Sequence, residues 1–343
     1  MEIVWRTIFS FSEGYNFRNR QVCSRFRYMI AKVKYAVYLD CLLRDRRKPK
    51  NFVPSQKILE VAIDLELLYL LQACKNFILT DEICKEAAKR GKLQVLQWAR
   101  ANNCPWNEDV CINAVRCGHL ELLQWARAND CPWDKYICPA AAYNGHLEIL
   151  QWARVNNCPW NEDVCINAVR CGHLEILQWA RANGCPWNEN VCICAATSGN
   201  LKILQWAREN ECPWNKKVCE SAAAYGHLEL LQWARANGCP WDKETCNQAA
   251  RNGKLQVLQW ARANGCPWNG RVCIDAAAYG HLELLKWARA NNCSWNHEVC
   301  ERASRNGRLE ILQWARANNC PWNKARCYRV ARTEEIAQWI KDN

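Results

Sequence analysis

The sequence predicts an all-α fold, a solenoid of stacked helix-turn-helix repeats with a small N-terminal helical domain. Three observations carry that expectation. Residues 104–130 read CPWNEDVCINAVRCGHLELLQWARAND, and almost the same words return at 158–184 as CPWNEDVCINAVRCGHLEILQWARANG. The tryptophan of QWAR or its equivalent falls at Trp98, Trp125, Trp152, Trp179, Trp206, Trp233, Trp260, Trp287 and Trp314, every step being 27 residues. A second ladder from Trp106 to Trp322 keeps that step inside CPW, with Ser294 the one substitution for the proline. Self-similarity at a fixed period of about 20 to 50 residues marks a stacked array. Finally, no stretch alternates with a period of two long enough for a strand, whereas apolar residues recur at helical spacing inside the repeats.

Each repeat reads as two helices. In residues 104–130, Asn107 is placed as an N-cap, and Glu108 and Asp109 put acid in the first turn, where the helix dipole favours it. Val110, Cys111, Ala114 and Val115 line one side of that helix, and Gly118 ends it as a C′ residue. The second helix starts near His119 or Leu120. Its apolar side holds Leu120, Leu123 and Ala126, with Leu122 and Trp125 widening the stripe, and it stops around Asn129. Cys131, Pro132 and Trp133 then turn the chain into the next repeat. Pro139, several positions inside a first helix, is expected to delay or kink it.

One hairpin cannot bury its own apolar face, so repeats must stack and the end repeats must differ. The expected organisation is a helical segment at 1–43, a basic linker at 44–53, an N-terminal capping repeat at 54–76, nine 27-residue repeats over 77–319 and a C-terminal capping repeat at 320–343. The segment before residue 77 has the helix-pair pattern without tryptophan, and the last one is shortened and finishes on charge.

Composition narrows the function classes. A hydrophobic content of 50% with 23% charged residues is compatible with a folded core. MEIVWRTIFSF lacks the basic, apolar and small-residue parts of a secretory signal. YMIAKVKYAVYLDCLL is interrupted by Lys32, Lys34 and Asp40, too many charges for a spanning helix, so no membrane partner is expected. A cytoplasmic chain with reduced thiols is expected, and its 25 cysteines then imply no disulfide framework. The formal charge of +12 is uneven: residues 1–76 carry +7, and the far longer 77–343 carries +5. A near-neutral array argues against nucleic acid as a partner. RDRRKPK at 44–50 is the dense basic cluster; it reads as a solvated linker, with a nuclear localisation signal or a patch for an anionic partner as the alternative.

The repeated tryptophans and cysteines read as joints. A buried indole removes roughly 150–250 Å² from water, a large share of what so short a repeat has to offer. The rings are therefore expected in the core, with the arginine of QWAR packed by its stem against a neighbouring ring. The recurring cysteine interval is CxxxxxxC, as from Cys104 to Cys111, and not the CxxC of zinc sites. Cys111 and its equivalents read as small buried hydrophobes, so no metal and no cofactor are expected. No Ser/His/Asp set, paired acids or phosphate loop stands outside the repeat pattern, so no enzyme is expected.

Comparing the repeats with one another separates scaffold from variable surface. Diversity gathers in the first helix and the turn after it. The candidate target-binding strip comprises Ile112, Asn113, Arg116, Tyr136, Tyr143, Arg170, Glu220, Tyr225, Arg251, Tyr279, Arg302 and Arg305. A fixed frame carrying a changing exposed strip is how solenoids make extended binding surfaces, and tyrosine and arginine are favoured where proteins meet.

AAAYGHLELLQWARANGCPWD at 222–242 resembles ankyrin repeats, whose second half runs AAxxGHLEVVKLLLxxGAD, and the likeness covers about 77–343. The period is 27 residues where ankyrin repeats have about 33, and CPWN stands in place of their hairpin and TPLH segment. Short repeats with GHLE, QW and CPW are similar to the ankyrin-like arrays of large DNA viruses that infect amoebae. IVWRTIFSF at 3–11, followed by NFRNRQVCSRFR at 16–27, resembles an F-box, the helical motif that docks on the linker subunit of cullin-type ubiquitin ligases. That likeness implies a docking and packing face of Val4, Trp5, Ile8, Phe9, Phe11, Val22, Cys23 and Phe26. Together the resemblances imply a monomeric, noncatalytic adaptor in the cytoplasm of the host or in its nucleus, whose array holds a protein target. The alternative is an ankyrin-like scaffold that sequesters a protein with no ligase link.

Overall fold

The computed structural model describes residues 12, 15–22, 32, 34–47, 52–75 and 81–343. Among the described residues the regular elements are helical and no strand occurs. The chain divides into two compact bodies, Met1–Trp160 and Asn161–Asn343.

In the N-terminal body a short helix at Asn16–Asn19 and a longer one at Tyr35–Arg44 precede a helix pair, Gln56–Asp64 and Leu68–Ala73. Phe17 stacks on Tyr38 at 5.6 Å and meets Tyr35 at 5.1 Å, which joins the first two helices through aromatic rings. Asp40 reaches out of the second helix and accepts a hydrogen bond from the Leu70 backbone N–H at 2.8 Å, so it satisfies a free donor at the start of Leu68–Ala73. Burial pushes the Asp40 carboxyl up from its usual range. Three hairpins follow: Glu82–Lys89 with Leu93–Ala101, Glu108–Arg116 with Leu120–Ala128, and Ile137–Asn144 with Leu147–Val155.

The C-terminal body is built from hairpins throughout. Its first helices are Asp163–Arg170, Glu189–Ser198, Lys217–Tyr225, Lys243–Arg251, Arg271–Tyr279 and His297–Arg305. Their second helices are Leu174–Ala182, Leu201–Glu209, Leu228–Ala236, Leu255–Ala263, Leu282–Ala290 and Leu309–Ala317, and a shorter pair, Lys324–Arg329 with Glu334–Asp342, closes the body.

Local chemistry sets the helix ends. The Asn107 side chain accepts from the Asp109 N–H at 3.2 Å and starts Glu108–Arg116, as its place in the sequence predicts. Gly118 follows the end of that helix at φ +79°, a conformation that strains any residue with a Cβ. Pro139 does delay its helix: Ile137–Asn144 begins two residues after the position equivalent to Glu108, which leaves the proline in the first turn, where its missing N–H costs nothing.

The core is aliphatic and sulfur-rich. Val110, Cys111, Ala114 and Val115 of a first helix meet Leu122, Leu123 and Ala126 of the second, all of them buried, and the same positions are buried in the other full-length 27-residue hairpins. Alanines at the contact let the helices approach closely, which suits a repeat this short. The tryptophans lie outside that core. Both ladders are half-buried rather than enclosed, which corrects the expectation from sequence. An indole is too large to fit between helices spaced by alanine and cysteine, so it packs along their margin instead.

Histidine in GHLE joins successive repeats. The His119 ring covers Gly91, where a Cβ would lie 2.6 Å from the imidazole, and His119 Nε2 contacts the Lys89 carbonyl at 3.3 Å. His146 over Gly118, His227 over Gly199 and His281 over Gly253 repeat the arrangement. Each ring therefore touches the last turn of the preceding first helix, whose carbonyls are left without intrahelical donors. Where the histidine is replaced, Asn200, Lys254 and Arg308 lie over Gly172, Gly226 and Gly280 in its stead.

Candidate functional site

The groups that recur in every repeat are consumed by packing. Arg100 donates through Nη1 to the Cys104 carbonyl at 2.7 Å, and its guanidinium lies 4.2 Å from the Trp106 ring centroid. Arg127 with Cys131 and Trp133 forms the same clasp, and so do Arg208 with Cys212 and Trp214, and Arg289 with Cys293 and Trp295. Trp106 then meets Trp125 edge to face at 6.0 Å, and Trp214 meets Trp233 at 6.1 Å. Cation, ring and second ring thus tie the end of one second helix to the next repeat.

The thiols are equally committed. Cys131 donates through Sγ to the Asn107 carbonyl at 3.5 Å, while the hydrogen bond that Cys111 donates to Cys131, together with burial, pushes the Cys111 thiol up. Pairs of cysteines 20 residues apart repeat this contact, as at Cys192 with Cys212 and Cys219 with Cys239. Burial raises the Cys84 thiol to about 12. Thiols raised in this way are poor nucleophiles, since the thiolate is the reactive form, whereas the accepting partners, as Cys131 and Cys212, are drawn down by the same bond. Among the described residues no group of three or more His, Cys, Asp or Glu side chains is placed to hold a metal ion. No described helix is long and apolar enough to cross a membrane.

What remains is the face of the first helices. In the N-terminal body, Ile112 and Asn113 are half-buried on Glu108–Arg116, and Arg116 is exposed at its end. Tyr136 and Tyr143, at either end of Ile137–Asn144, are 55% and 48% exposed.

In the C-terminal body, Arg170 is exposed at the end of Asp163–Arg170, and the remaining strip residues gather around two clefts. One, of about 420 Å³, is lined by Glu220, Tyr225 and Arg251 together with Lys217, Ser221 and Gln248. Tyr225 is 58% exposed and stacks on His227 at 6.4 Å. Burial pushes the Glu220 carboxyl up, helped by the nearby charge of Asp242, which itself holds Lys216 at 2.6 Å. The second cleft, of about 330 Å³, is lined by Arg251, Tyr279 and Arg302 together with Arg271, Asp275 and Arg308. Arg305, the last strip residue, turns to Glu301 at 3.0 Å.

Sequence comparison missed Arg271, Asp275 and Arg308. Their signal was present: Arg308 departs from the histidine of the frame, and Asp275 occupies the position of Asn113, a strip residue one body earlier. Of the N-terminal docking face, Val4, Trp5, Ile8, Phe9, Phe11, Cys23 and Phe26 lie outside the described residues. Val22 is 69% exposed.

No family model matches the chain. No curated protein sequence matches it either. Among solved structures the chain is similar to the ankyrin repeat domain of human ASB11, at 14% identity and a TM-score of 0.43, over 52% of this chain and 96% of that one. At that score the likeness adds nothing to what the hairpins themselves show.

Proposed function

We propose that this chain is a noncatalytic protein-binding adaptor, in which the first-helix face of the array holds a target protein. The observation that carries the reading is the division of labour within each hairpin. Arginine, tryptophan and cysteine at fixed positions are taken up by one another and by backbone carbonyls, while Tyr136, Tyr143, Tyr225 and Tyr279 stand about half exposed on helices whose outer residues change from repeat to repeat. Exposed rings of this size are costly to leave in water and gain most when a partner covers them.

The finer part of the proposal is that the adaptor recruits its target to a cullin-type ubiquitin ligase, with Val4, Trp5, Ile8, Phe9, Phe11, Val22, Cys23 and Phe26 docking on the linker subunit. It rests on the F-box resemblance of residues 3–27. Catalysis then belongs to the partners, and no cofactor is required of this chain. Affinity capture from cells tests both levels at once. The full chain should retain a cullin, its linker subunit and a target, whereas Ile8→Asp with Phe9→Asp should lose the first two and keep the target. A target held with no cullin in either sample would leave the sequestering scaffold as the function, and capture of no protein by the full chain would defeat the adaptor reading altogether.

A further inference from the structure

The cleft around Tyr279 has a charge pattern that the adaptor reading does not itself require. Four arginines line it, Arg251, Arg271, Arg302 and Arg308, against the single carboxylate of Asp275. Asp275 is 4% exposed and sits between two of them, with Arg271 Nε 3.2 Å from both carboxylate oxygens and Arg251 Nη2 at 3.7 Å. Glu301, 6% exposed, is paired in the same way by Arg305 and Arg326 at 3.0 and 2.9 Å. On this face, then, arginine takes a carboxylate wherever the chain supplies one. Arg302 and Arg308 have no acidic partner among the described residues, and Arg251 Nε is buried without an acceptor.

A cluster of guanidiniums that outnumbers its carboxylates, beside a half-exposed aromatic ring, is a receptor for anionic oxygen. Arginine presents donors in a planar fork that matches a carboxylate, and the ring offers an apolar wall for the stem of an acidic side chain. At about 330 Å³ the cleft admits a side chain or two of a peptide and not a folded domain.

We propose that this cleft binds an acidic peptide segment of the target, whose aspartate or glutamate carboxylates pair with Arg302 and Arg308 while the peptide runs past Tyr279. This rests on the reading of the first-helix face as a protein-binding surface, and it names the chemistry of what is bound. Carboxylates complete the arginine pairs that Asp275 and Glu301 begin, and they supply an acceptor within the cleft that Arg251 lines.

The test is fluorescence anisotropy of the full chain with a short labelled peptide rich in aspartate and glutamate. The comparison probes are its asparagine and glutamine counterpart, a phosphoserine version and an RNA oligonucleotide of equal charge. The acidic peptide should bind, the neutral one should not, and rising salt should weaken binding. Arg302→Gln should weaken it by at least about tenfold, the loss of one charge-assisted contact. Because Arg308 covers Gly280, its test is Arg308→His, which places there the residue found over Gly91, Gly118, Gly199 and Gly253 and so preserves the packing. That variant should also bind at least about tenfold more weakly at pH 8, where the imidazole is neutral, with an unchanged unfolding midpoint. Lys57→Gln, which removes one exposed charge from the other body, should bind as the parent does. Equal binding of the neutral peptide, or unchanged binding by Arg302→Gln and Arg308→His, would overturn the proposal. Preference for phosphoserine by tenfold or more would replace carboxylate by phosphate, and preference for RNA would reject a peptide occupant. If both arginine variants still capture the cellular target while failing with the peptide, the cleft binds acid but not that target. If the peptide binds while the chain captures no protein, the adaptor reading fails and the cleft stands.

Discussion

The second helices of the C-terminal body scarcely differ, while the first helices before them differ at almost every outward position. Leu228–Ala236 and Leu255–Ala263 read LELLQWARA and LQVLQWARA; Lys217–Tyr225 and Lys243–Arg251 read KVCESAAAY and KETCNQAAR. The contrast follows the number of structural duties per residue. In a second helix, the two leucines and the alanine are core, the tryptophan meets a second ring, and the arginine serves both a carbonyl and an indole. In a first helix the duties shared by every repeat fall on the VC and AA positions, while the others vary, some pairing locally as Asp275 and Glu301 do.

That contrast can be broken from its strong side or sharpened from its weak side. The largest effect should come from the second-helix core: Leu231→Ala leaves a cavity in a position with no exposure and should cost about 2–5 kcal/mol, read from the shift in urea unfolding. Next comes the clasp. Arg208→Gln removes a charged hydrogen bond to the Cys212 carbonyl and the cation over Trp214, and should cost about 2 kcal/mol with a change in tryptophan fluorescence. Thr245 stands where sister first helices carry valine, fully buried with its hydroxyl unpaired, so Thr245→Val should stabilise the protein by about 1 kcal/mol, seen as a higher thermal midpoint. Glu211 adopts φ +64° at a turn where other repeats place glycine, asparagine or aspartate, and Glu211→Gly should raise the midpoint by a smaller step, about 0.5–1 kcal/mol. Tyr225→Ala with Tyr279→Ala should change stability least, within about 0.5 kcal/mol, while weakening capture of a target. A large loss of stability in that last variant would show the exposed rings to be part of the frame.

Much of the architecture was legible because a repeat announces itself by its period, and a period of helical spacing with caps leaves little freedom in the elements. Asn107, Gly118 and Pro139 act where local backbone chemistry places them, and local chemistry is what a sequence displays. The variability of the first helices was legible for a different reason: comparing repeats within one chain reveals which positions carry no shared duty. The sulfur pairs were less visible. Spacing alone brought out Cys104 to Cys111, whereas the contacts formed are Cys111 with Cys131 and Cys192 with Cys212, partners that meet only when one first helix lies beside the turn that opens the following repeat. The depth of the tryptophans was misjudged because hydrophobicity predicts a preference for burial and says nothing of the room available between two helices.

From its sequence alone this chain was bound to form helical hairpins that stack, since apolar residues recur at helical spacing, helix ends are marked by caps and glycine, and no hairpin can shelter its own stripe. Which side chains then stand together in space was settled by stacking: an arginine from one repeat over an indole of the next, a histidine over its neighbour's glycine, and four arginines, from three helices and a turn, around one tyrosine. Such meetings depend on the rotation and spacing of one hairpin against the next, and those are fixed by the shape of the packed core and not by any single stretch of residues.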